Sequence, residues 1–229
     1  MESVAIDNPL WREMLSQLPA LDWESGPWIA GGSARKLLQG KDWRSGDVDV
    51  FFSSVDQMRS YASQLEQALI KPTDVNSWEW ALGVALKAPT QLVKKISGKT
   101  LDEPSKWYAH KNMDTANAVT YHLARDGDDV VYKVQLIQTR YSKSLEDLFH
   151  EFDFTISCFA ASATEVRYTR AAGEDLRENR LREQPLGNTQ NRPLRVLKHV
   201  VYGFDASRKT LRECAQRVSE GGVSWNTDY

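Results

Sequence analysis

Two aspartates, Asp47 and Asp49, lie two positions apart in an apolar run and offer the clearest chemistry in the chain. The run from Asp47 to Phe52 alternates acidic and apolar side chains, which predicts a β-strand with both carboxylates on one face. Desolvation and mutual repulsion make such a pair costly unless a cation offsets the charge. The spacing therefore indicates a Mg²⁺ site. The alternative is a solvated edge strand that alternates Asp and Val.

A pair of glycines precedes this strand. Residues 27–30 predict a short buried strand that ends at Gly31-Gly32, and a short helix follows from Ser33. At such a turn the missing side chains let backbone N–H groups face an anion, and a triphosphate fits there. Arg35, in the first turn of the helix, is a candidate for a phosphate contact or for pairing with one of the aspartates. The alternative is a simply exposed arginine.

The surrounding elements predict a mixed fold. Ser54 and Gln57 form a capping-box pattern at the start of a long amphipathic helix. The segments 118–123 and 130–137 flank an Asp-Gly turn and predict a hairpin. A further strand with a buried carboxylate, Asp153, is expected at 152–159. Residues 71–117 are treated as an insertion of uncertain shape.

The last part of the chain, from about Gly173, is predicted to be helical and basic. Arg192, Arg195 and Lys198 are three residues apart, so they could form one basic face toward a nucleotide phosphate or an RNA backbone. The alternative is an ordinary solvated face.

Composition sets limits on the function. The 229 residues are 41% hydrophobic and 26% charged, which excludes disorder as the main state and allows one large domain with a small appendage. A net charge of −2 gives no general attraction to nucleic acid or to anionic membranes, so a polyanion must meet a local patch. With no membrane-spanning or signal segment expected, the predicted location is the cytoplasm.

The order strand, Gly31-Gly32, helix, Asp47-Val48-Asp49-Val50 resembles the nucleotidyltransferase superfamily that includes DNA polymerase β. The segment 31–40 is similar to the opening of the heads of CCA-adding tRNA nucleotidyltransferases and bacterial poly(A) polymerases. Similar later segments are 153–157, 173–176 and 192–198. The chain also resembles shorter nucleotidyltransferase-like proteins, many of them from phages.

The resemblance implies an α+β fold: a polymerase β-like head with a mixed, mostly antiparallel sheet, helices packed on one face, and a short helical C-terminal segment. It implies a catalytic domain at 1–170, with the insertion near 71–117, and a helical segment at 171–229 that packs on it. The implied activity is Mg²⁺-dependent transfer of a nucleotide from an NTP, ATP or CTP, to an RNA 3′ hydroxyl, with a tRNA-like acceptor and release of pyrophosphate.

The resemblance also implies roles for individual residues. Asp47 and Asp49 would hold Mg²⁺, as two ions, with Asp153 completing the metal site and helping to activate the 3′ hydroxyl. Gln135 takes a strand position where the resemblance implies an acid, which directs attention to Asp153 as the third ligand. The alternative for Asp153 is a buried structural acid. The residues expected to bind the nucleotide are Gly31, Gly32, Ser33, Arg35, Arg195 and Lys198. Two other functions stay open: transfer of a nucleotide to a protein or small molecule, and a catalytically inactive nucleotide-binding module.

Overall fold

The computed structural model describes residues 1–68, 107–125, 131–184 and 192–219. Its α-helices are α1 (Pro9–Leu15), α2 (Gly32–Leu38), α3 (Val55–Ala68), α4 (Leu145–Glu151), α5 (Arg170–Arg177), α6 (Arg192–Val201) and α7 (Arg208–Ser219). Its strands are β1 (Glu2–Ala5), β2 (Trp28–Ala30), β3 (Asp47–Phe52), β4 (Trp107–Asp114), β5 (Ala118–Arg125), β6 (Val131–Tyr141), β7 (Phe159–Ala161), β8 (Glu165–Tyr168), β9 (Arg180–Leu181) and β10 (Asp205–Ala206). Short 3₁₀ turns cover Trp43–Ser45 and Thr155–Ser157.

Eight strands form one sheet in the order β1-β8-β7-β2-β3-β6-β5-β4. The pair β3 and β6 is parallel, and the other six neighbouring pairs of this sheet are antiparallel. The prediction of an α+β fold with a mixed, mostly antiparallel sheet is therefore confirmed. Strand β3, which carries the two aspartates, lies near the middle of the sheet, so it is not a solvated edge strand.

Strand β3 is covered on both faces. Phe52 packs edge-on against Tyr61 of α3, with ring centroids 5.3 Å apart. Phe51, on the opposite face with the aspartates, meets Phe152 directly after α4, with centroids 5.4 Å apart. Because Val48, Val50 and Phe52 are fully buried, the register of β3 is fixed and the acids must lie on the other face.

A second, smaller core joins the C-terminal elements to the sheet. It consists of Phe154, Ile156, Leu181, Val196 and Phe204. The first two come from the turn before β7, and the others come from β9, α6 and the loop before β10. The helical character predicted for the C-terminal part is confirmed for α5, α6 and α7. The C-terminal part shares the second core with Phe154 and Ile156, which precede residue 171.

Several local predictions are confirmed. Helix α3 follows Ser54, whose hydroxyl accepts from the Gln57 N–H (3.1 Å), while Gln57 Oε1 accepts from the Ser53 N–H (2.8 Å). Strand β2 is followed directly by α2, as the glycine pair indicates. Strands β5 and β6 pair as an antiparallel hairpin whose turn, 126–130, lies outside the described residues.

One predicted element is wrong, and the insertion near 71–117, whose shape the sequence leaves open, is described in part. Residues 152–158 are not a strand: α4 ends at Glu151, a 3₁₀ turn covers Thr155–Ser157, and β7 begins only at Phe159. The sequence here alternates apolar and polar side chains, which is the pattern of a half-exposed strand, yet every residue from 152 to 158 is buried. The polar side chains of Asp153 and Thr155 are instead bonded within the protein, to Arg195 and Asp175. Residues 107–114 belong to the main sheet as β4, whereas 71–106 lie outside the described part.

Within the described ranges, no helix is both long enough and apolar enough to cross a membrane.

Candidate active site

Strand pairing brings the predicted acids to one point of the sheet. Asp49 lies opposite Ala30 of β2 on one side and opposite Gln135 of β6 on the other. Asp47, two residues earlier and on the same face, lies opposite Lys133. The parallel pairing of β3 with β6 thus places the Asp-x-Asp motif beside a Lys-x-Gln motif that is remote in the sequence.

The carboxylates of Asp47 and Asp49 converge on the side-chain amide of Gln135. With its nitrogen toward the acids, Nε2 donates to Asp49 Oδ1 at 3.1 Å and to Asp47 Oδ2 at 3.3 Å. The far end of the same amide lies 3.4 Å from the Thr120 hydroxyl of β5. Because one amide group reaches both acids, the oxygens of Asp47 and Asp49 face a common space rather than diverging.

The glycines border this space. Gly31 has φ of 94°, a conformation that favours glycine, and its N–H donates to the Phe159 carbonyl at 2.8 Å. A Cβ at Gly31 would lie 3.8 Å from Asp49 Oδ2. A Cβ at Gly32 would meet no atom within 4 Å, so the space above Gly32 is open. The Ser33 hydroxyl is 2% exposed and makes no hydrogen bond within the part of the chain that the structure describes.

Asp47 and Asp49 differ in their electrostatic surroundings. Asp47 Oδ1 forms an ion pair with Lys133 Nζ at 3.1 Å, with both side chains more than a third exposed. Burial, and after it the charge of Asp47, raise the pKa of Asp49 to about 7, against the opposing effect of Arg195, Lys198 and Lys133. A carboxyl group with such a pKa is one whose negative charge the surrounding protein does not fully offset.

Cations from three elements surround the acids. Lys133 extends from β6, and Arg195 and Lys198 of α6 act on Asp49. Lys36 of α2 donates to Ser45 Oγ at 2.9 Å, and burial together with the neighbouring Arg35 lowers its pKa, whereas Asp47 raises it. The structure therefore brings the predicted Lys198 and Arg195 to the site and adds Lys36 and Lys133, which the sequence did not single out.

Arg35 does not face the acids. It is 4% exposed, its Nη1 donates to the Ile156 carbonyl at 2.9 Å, and its guanidinium lies 5.0 Å from the centroid of the Phe204 ring. Burial lowers its pKa to about 10. The guanidinium thus ties α2 to the second core, so the interpretation as a simply exposed arginine is wrong, and neither Asp47 nor Asp49 is its hydrogen-bonding partner.

Asp153 is fully enclosed and paired within the protein. It is 1% exposed, and its Oδ2 accepts from Arg195 Nε at 2.7 Å. No group of three or more His, Cys, Asp or Glu side chains suited to a metal ion occurs in the described ranges. Asp153 therefore does not join Asp47 and Asp49 in a cluster of three acids, and its geometry matches the alternative of a buried structural acid.

Arg195 connects the two sets of acids. Its guanidinium binds Asp153, and its charge also lowers the pKa of Asp49. The neighbouring His199 is packed edge-on against Phe154 and Phe204, and burial followed by the adjacent cations lowers its pKa to about 3. Helix α6 is thereby fixed with one face on the second core and its cations toward the carboxylates.

The residues that sequence reasoning missed depend on long-range pairing. In the sequence, Gln135 stands out only as a neutral residue where an acid is expected, and its contact with both aspartates follows from the β3–β6 register. The same register identifies Lys133. When the Lys-Val-Gln segment of β6 pairs with the Asp-Val-Asp segment of β3, Lys133 lies beside Asp47 in the same way that Gln135 lies beside Asp49. Lys36 gives no local signal of this kind.

Comparisons with known proteins add one finding. No curated protein matches the chain. A family model described as "Gabija anti-defense 2 family protein" matches residues 9–178, which include α1 to α5, the two aspartates and the glycine turn. Since the match covers most of the 229 residues, the chain belongs to the Gabija anti-defense 2 family.

Proposed function

We propose that this protein is a Mg²⁺-dependent nucleotidyltransferase that transfers a nucleotide from an NTP and releases pyrophosphate. The observation that supports this best is the convergence of Asp47 and Asp49 beside Gly31. Two hard oxygen ligands next to a turn without side chains form a setting in which one cation can contact the protein and a triphosphate together.

The residues present fit a magnesium ion. Mg²⁺ is commonly held by one or two carboxylates and completes its ligand set with waters and substrate phosphates, so Asp47 and Asp49 suffice without Asp153. The raised pKa of Asp49 is compatible with such a site, because a bound cation would offset the negative charge that burial and Asp47 disfavour. Bound there, Mg²⁺ would neutralise charge on the phosphates and orient them for displacement.

The triphosphate would lie over the glycine turn. The open space above Gly32 admits a phosphate close to the backbone, and the buried Ser33 hydroxyl has a donor to offer. Lys36 and Lys198 border the site as flexible cations that can follow the charge of the leaving pyrophosphate. These groups align and stabilise the phosphates, which is the main contribution a protein makes to phosphoryl transfer.

Helix α6 would hold Arg195 and Lys198 in position near the two aspartates. Asp153 holds Arg195, and Arg195 in turn stands within electrostatic reach of Asp49. We therefore assign Asp153 a positioning role and leave the metal to the strand β3 acids. Arg35 would contribute by fixing the helix that follows the glycine turn, through its hydrogen bond to the Ile156 carbonyl.

The proposed acceptor is the 3′ hydroxyl of an RNA, with a tRNA-like end as the first candidate. Exposed cations on α7, Arg208, Lys209 and Arg212, continue the basic character of α6 and give a local surface for a polyanion despite the net charge of −2.

The second candidate is transfer of the nucleotide to a protein. The family description favours it, because an anti-defense protein acts against a defence system, here one called Gabija. Covalent modification of a component of that system would be a direct way to do so. Both candidates use the same site and differ only in the acceptor.

The test is a labelling experiment. The protein is incubated with Mg²⁺ and each of the four NTPs, labelled at the α-phosphate, together with tRNA trimmed at its 3′ end and, separately, with a lysate that contains the Gabija proteins. Asp47→Asn and Asp49→Asn are the inactive variants. Asp56→Asn, an exposed acid in the first turn of α3, is the matched control and should behave as the wild type.

Label on RNA supports the first candidate, and label on a protein band supports the second. In both cases the signal must disappear in the Asp47 and Asp49 variants and persist in the Asp56 variant. Absence of label from every acceptor and NTP would overturn the proposal and would leave the inactive nucleotide-binding module as the remaining hypothesis.

A further inference from the structure

Gln135 has an unusual position for a neutral side chain. Its terminal amide lies within 3.3 Å of a carboxylate oxygen of each aspartate, 3.1 Å from Asp49 Oδ1 and 3.3 Å from Asp47 Oδ2. Either end of a carboxamide can occupy that place, because the nitrogen and the oxygen exchange when the group turns by half a rotation. The two orientations imply different partners.

With the nitrogen toward the acids, the amide donates to both carboxylates. This is the orientation that satisfies hydrogen bonding when the two aspartates carry no cation between them. It holds the acids together and reduces their repulsion, although it does not remove the charge.

With the oxygen toward the acids, three oxygens converge. Adjacent ligands of an octahedral Mg²⁺, each about 2.1 Å from the ion, are separated by about 3 Å. The separations of 3.1 and 3.3 Å between the Gln135 amide and the two carboxylate oxygens are close to this value. In the same orientation the Gln135 Nε2 lies 3.4 Å from Thr120 Oγ1, which can accept from it. Thr120 is buried, so this partner holds the far end of the amide in place.

We propose that Gln135 is the third protein ligand of the metal, and that its amide turns when the cation binds. This inference rests on the proposed function, because it uses the same metal site. The third ligand is neutral, so the set Asp47, Asp49 and Gln135 carries two negative charges rather than three. Such a set balances a single divalent ion and leaves the added charge of the triphosphate to the surrounding lysines.

The test measures metal binding directly, in the full chain without nucleotide, by calorimetric titration with Mn²⁺ and with Mg²⁺. The key variant is Gln135→Met, which keeps the length of the side chain and removes its oxygen. If the oxygen is a ligand, this variant should bind the metal about tenfold more weakly. Gln138→Met is the matched control, since Gln138 lies on the same strand but hydrogen-bonds to Asp114 and Thr115.

The opposite sign is expected if Gln135 only donates to the acids. Its loss would then remove hydrogen bonds that compete with the cation, and Gln135→Met would bind the metal as tightly as the wild type or more tightly. Such a result, together with loss of binding in Asp49→Asn, would overturn the role of Gln135 and leave the proposed function standing. Absence of metal binding to the wild type would overturn both.

A second measurement covers the case in which Gln135→Met does not fold. Wild-type crystals soaked in Mn²⁺ should show an anomalous peak between Asp47 and Asp49, with Gln135 Oε1 directly bonded to the ion. A metal bonded to both aspartates with Gln135 turned away would contradict the inference.

Discussion

At the scale of single residues, Asp49 is placed where its charge is costly. It lies on a central strand beside a second carboxylate, and burial and that neighbour raise its pKa to about 7. Three cations act on it without restoring an ordinary pKa. A carboxyl group in this environment destabilises the fold when it is charged, and strongly shifted pKa values of this kind are enriched at functional sites.

The replacement Asp49→Asn should therefore stabilise the metal-free protein. Because the pKa in the folded state is about 7 against 3.8 ordinarily, the folded state holds a proton between these values that the unfolded state releases. The stability contributed by that proton is present at low pH and is lost as the pH rises through 7. At pH 8 we expect a gain of about 1–2 kcal/mol, reduced by the partial solvent access of the side chain, or about 3–6 °C in melting temperature.

The measurement is thermal unfolding at pH 5 and pH 8 in the presence of a chelator. The advantage of the variant over the wild type should be larger at pH 8, and saturating Mg²⁺ should reverse it by stabilising only the wild type. Equal melting temperatures for the two proteins at pH 8 would mean that the Asp49 charge is already offset in the cation-free state.

At the scale of elements, the turn between β2 and α2 contains two glycines that differ in conformation and surroundings. Gly31 needs its conformation, with φ of 94°, and its backbone lies against Asp49. Gly32 is the first residue of α2 and has open space where a Cβ would project. One glycine is therefore required by the backbone, and the other leaves room for a ligand.

The matched pair Gly31→Ala and Gly32→Ala should separate these roles. Gly31→Ala should lose about 1–2 kcal/mol of stability because of backbone strain at positive φ. Gly32→Ala should keep the wild-type stability to within about 0.5 kcal/mol, since nothing obstructs the methyl group, but should bind a non-hydrolysable NTP analogue at least tenfold more weakly. Chemical denaturation and nucleotide titration give the two readouts. Unchanged nucleotide affinity in a stable Gly32→Ala would place the triphosphate elsewhere.

The same scale explains what could be predicted from the sequence. Strand β3, its acids and the glycine turn were predictable because alternation and the turn are properties of neighbouring residues. The contact of Gln135 with Asp47 and Asp49 was not, since it depends on a parallel pairing between segments more than eighty positions apart. The error at 152–158 has a similar origin: the alternation of apolar and polar side chains is a local strand pattern, whereas the groups that bond Asp153 and Thr155 inside the protein, Arg195 and Asp175, are remote in the sequence.

At the scale of the whole molecule, the C-terminal helices belong to the same structural unit as the sheet. The family match ends at residue 178, yet α6 supplies Arg195 and Lys198 to the site and shares a core with Phe154 and Ile156. The burial of Arg35 and the pairing of Asp153 could not be predicted locally, because both depend on α6 and its neighbours folding back onto the turn before β7.

Mutation of the ion pair between Asp153 and Arg195 tests whether α6 stabilises the segment before β7. Arg195→Met removes the ion pair to Asp153 Oδ2 from a carboxylate that is 1% exposed, so we expect a loss of about 2–3 kcal/mol, somewhat below the usual cost because Arg195 is itself 37% exposed. Adding Asp153→Asn should recover at least half of that loss in urea denaturation, as a double-mutant cycle would show. Strictly additive effects would mean that the two side chains do not stabilise each other.

The most direct measurement of the central claim is release of pyrophosphate from NTP, followed as the Mg²⁺ concentration is varied, for the wild type, Asp49→Asn and the exposed control Asp56→Asn. With an acceptor-containing lysate present, the wild type and the control should release pyrophosphate in a saturable, Mg²⁺-dependent manner, while Asp49→Asn should be at least a thousandfold slower yet remain folded. Equal release by the wild type and Asp49→Asn, or none from any of the three with any NTP, would contradict the assignment of nucleotidyl transfer to Asp47 and Asp49.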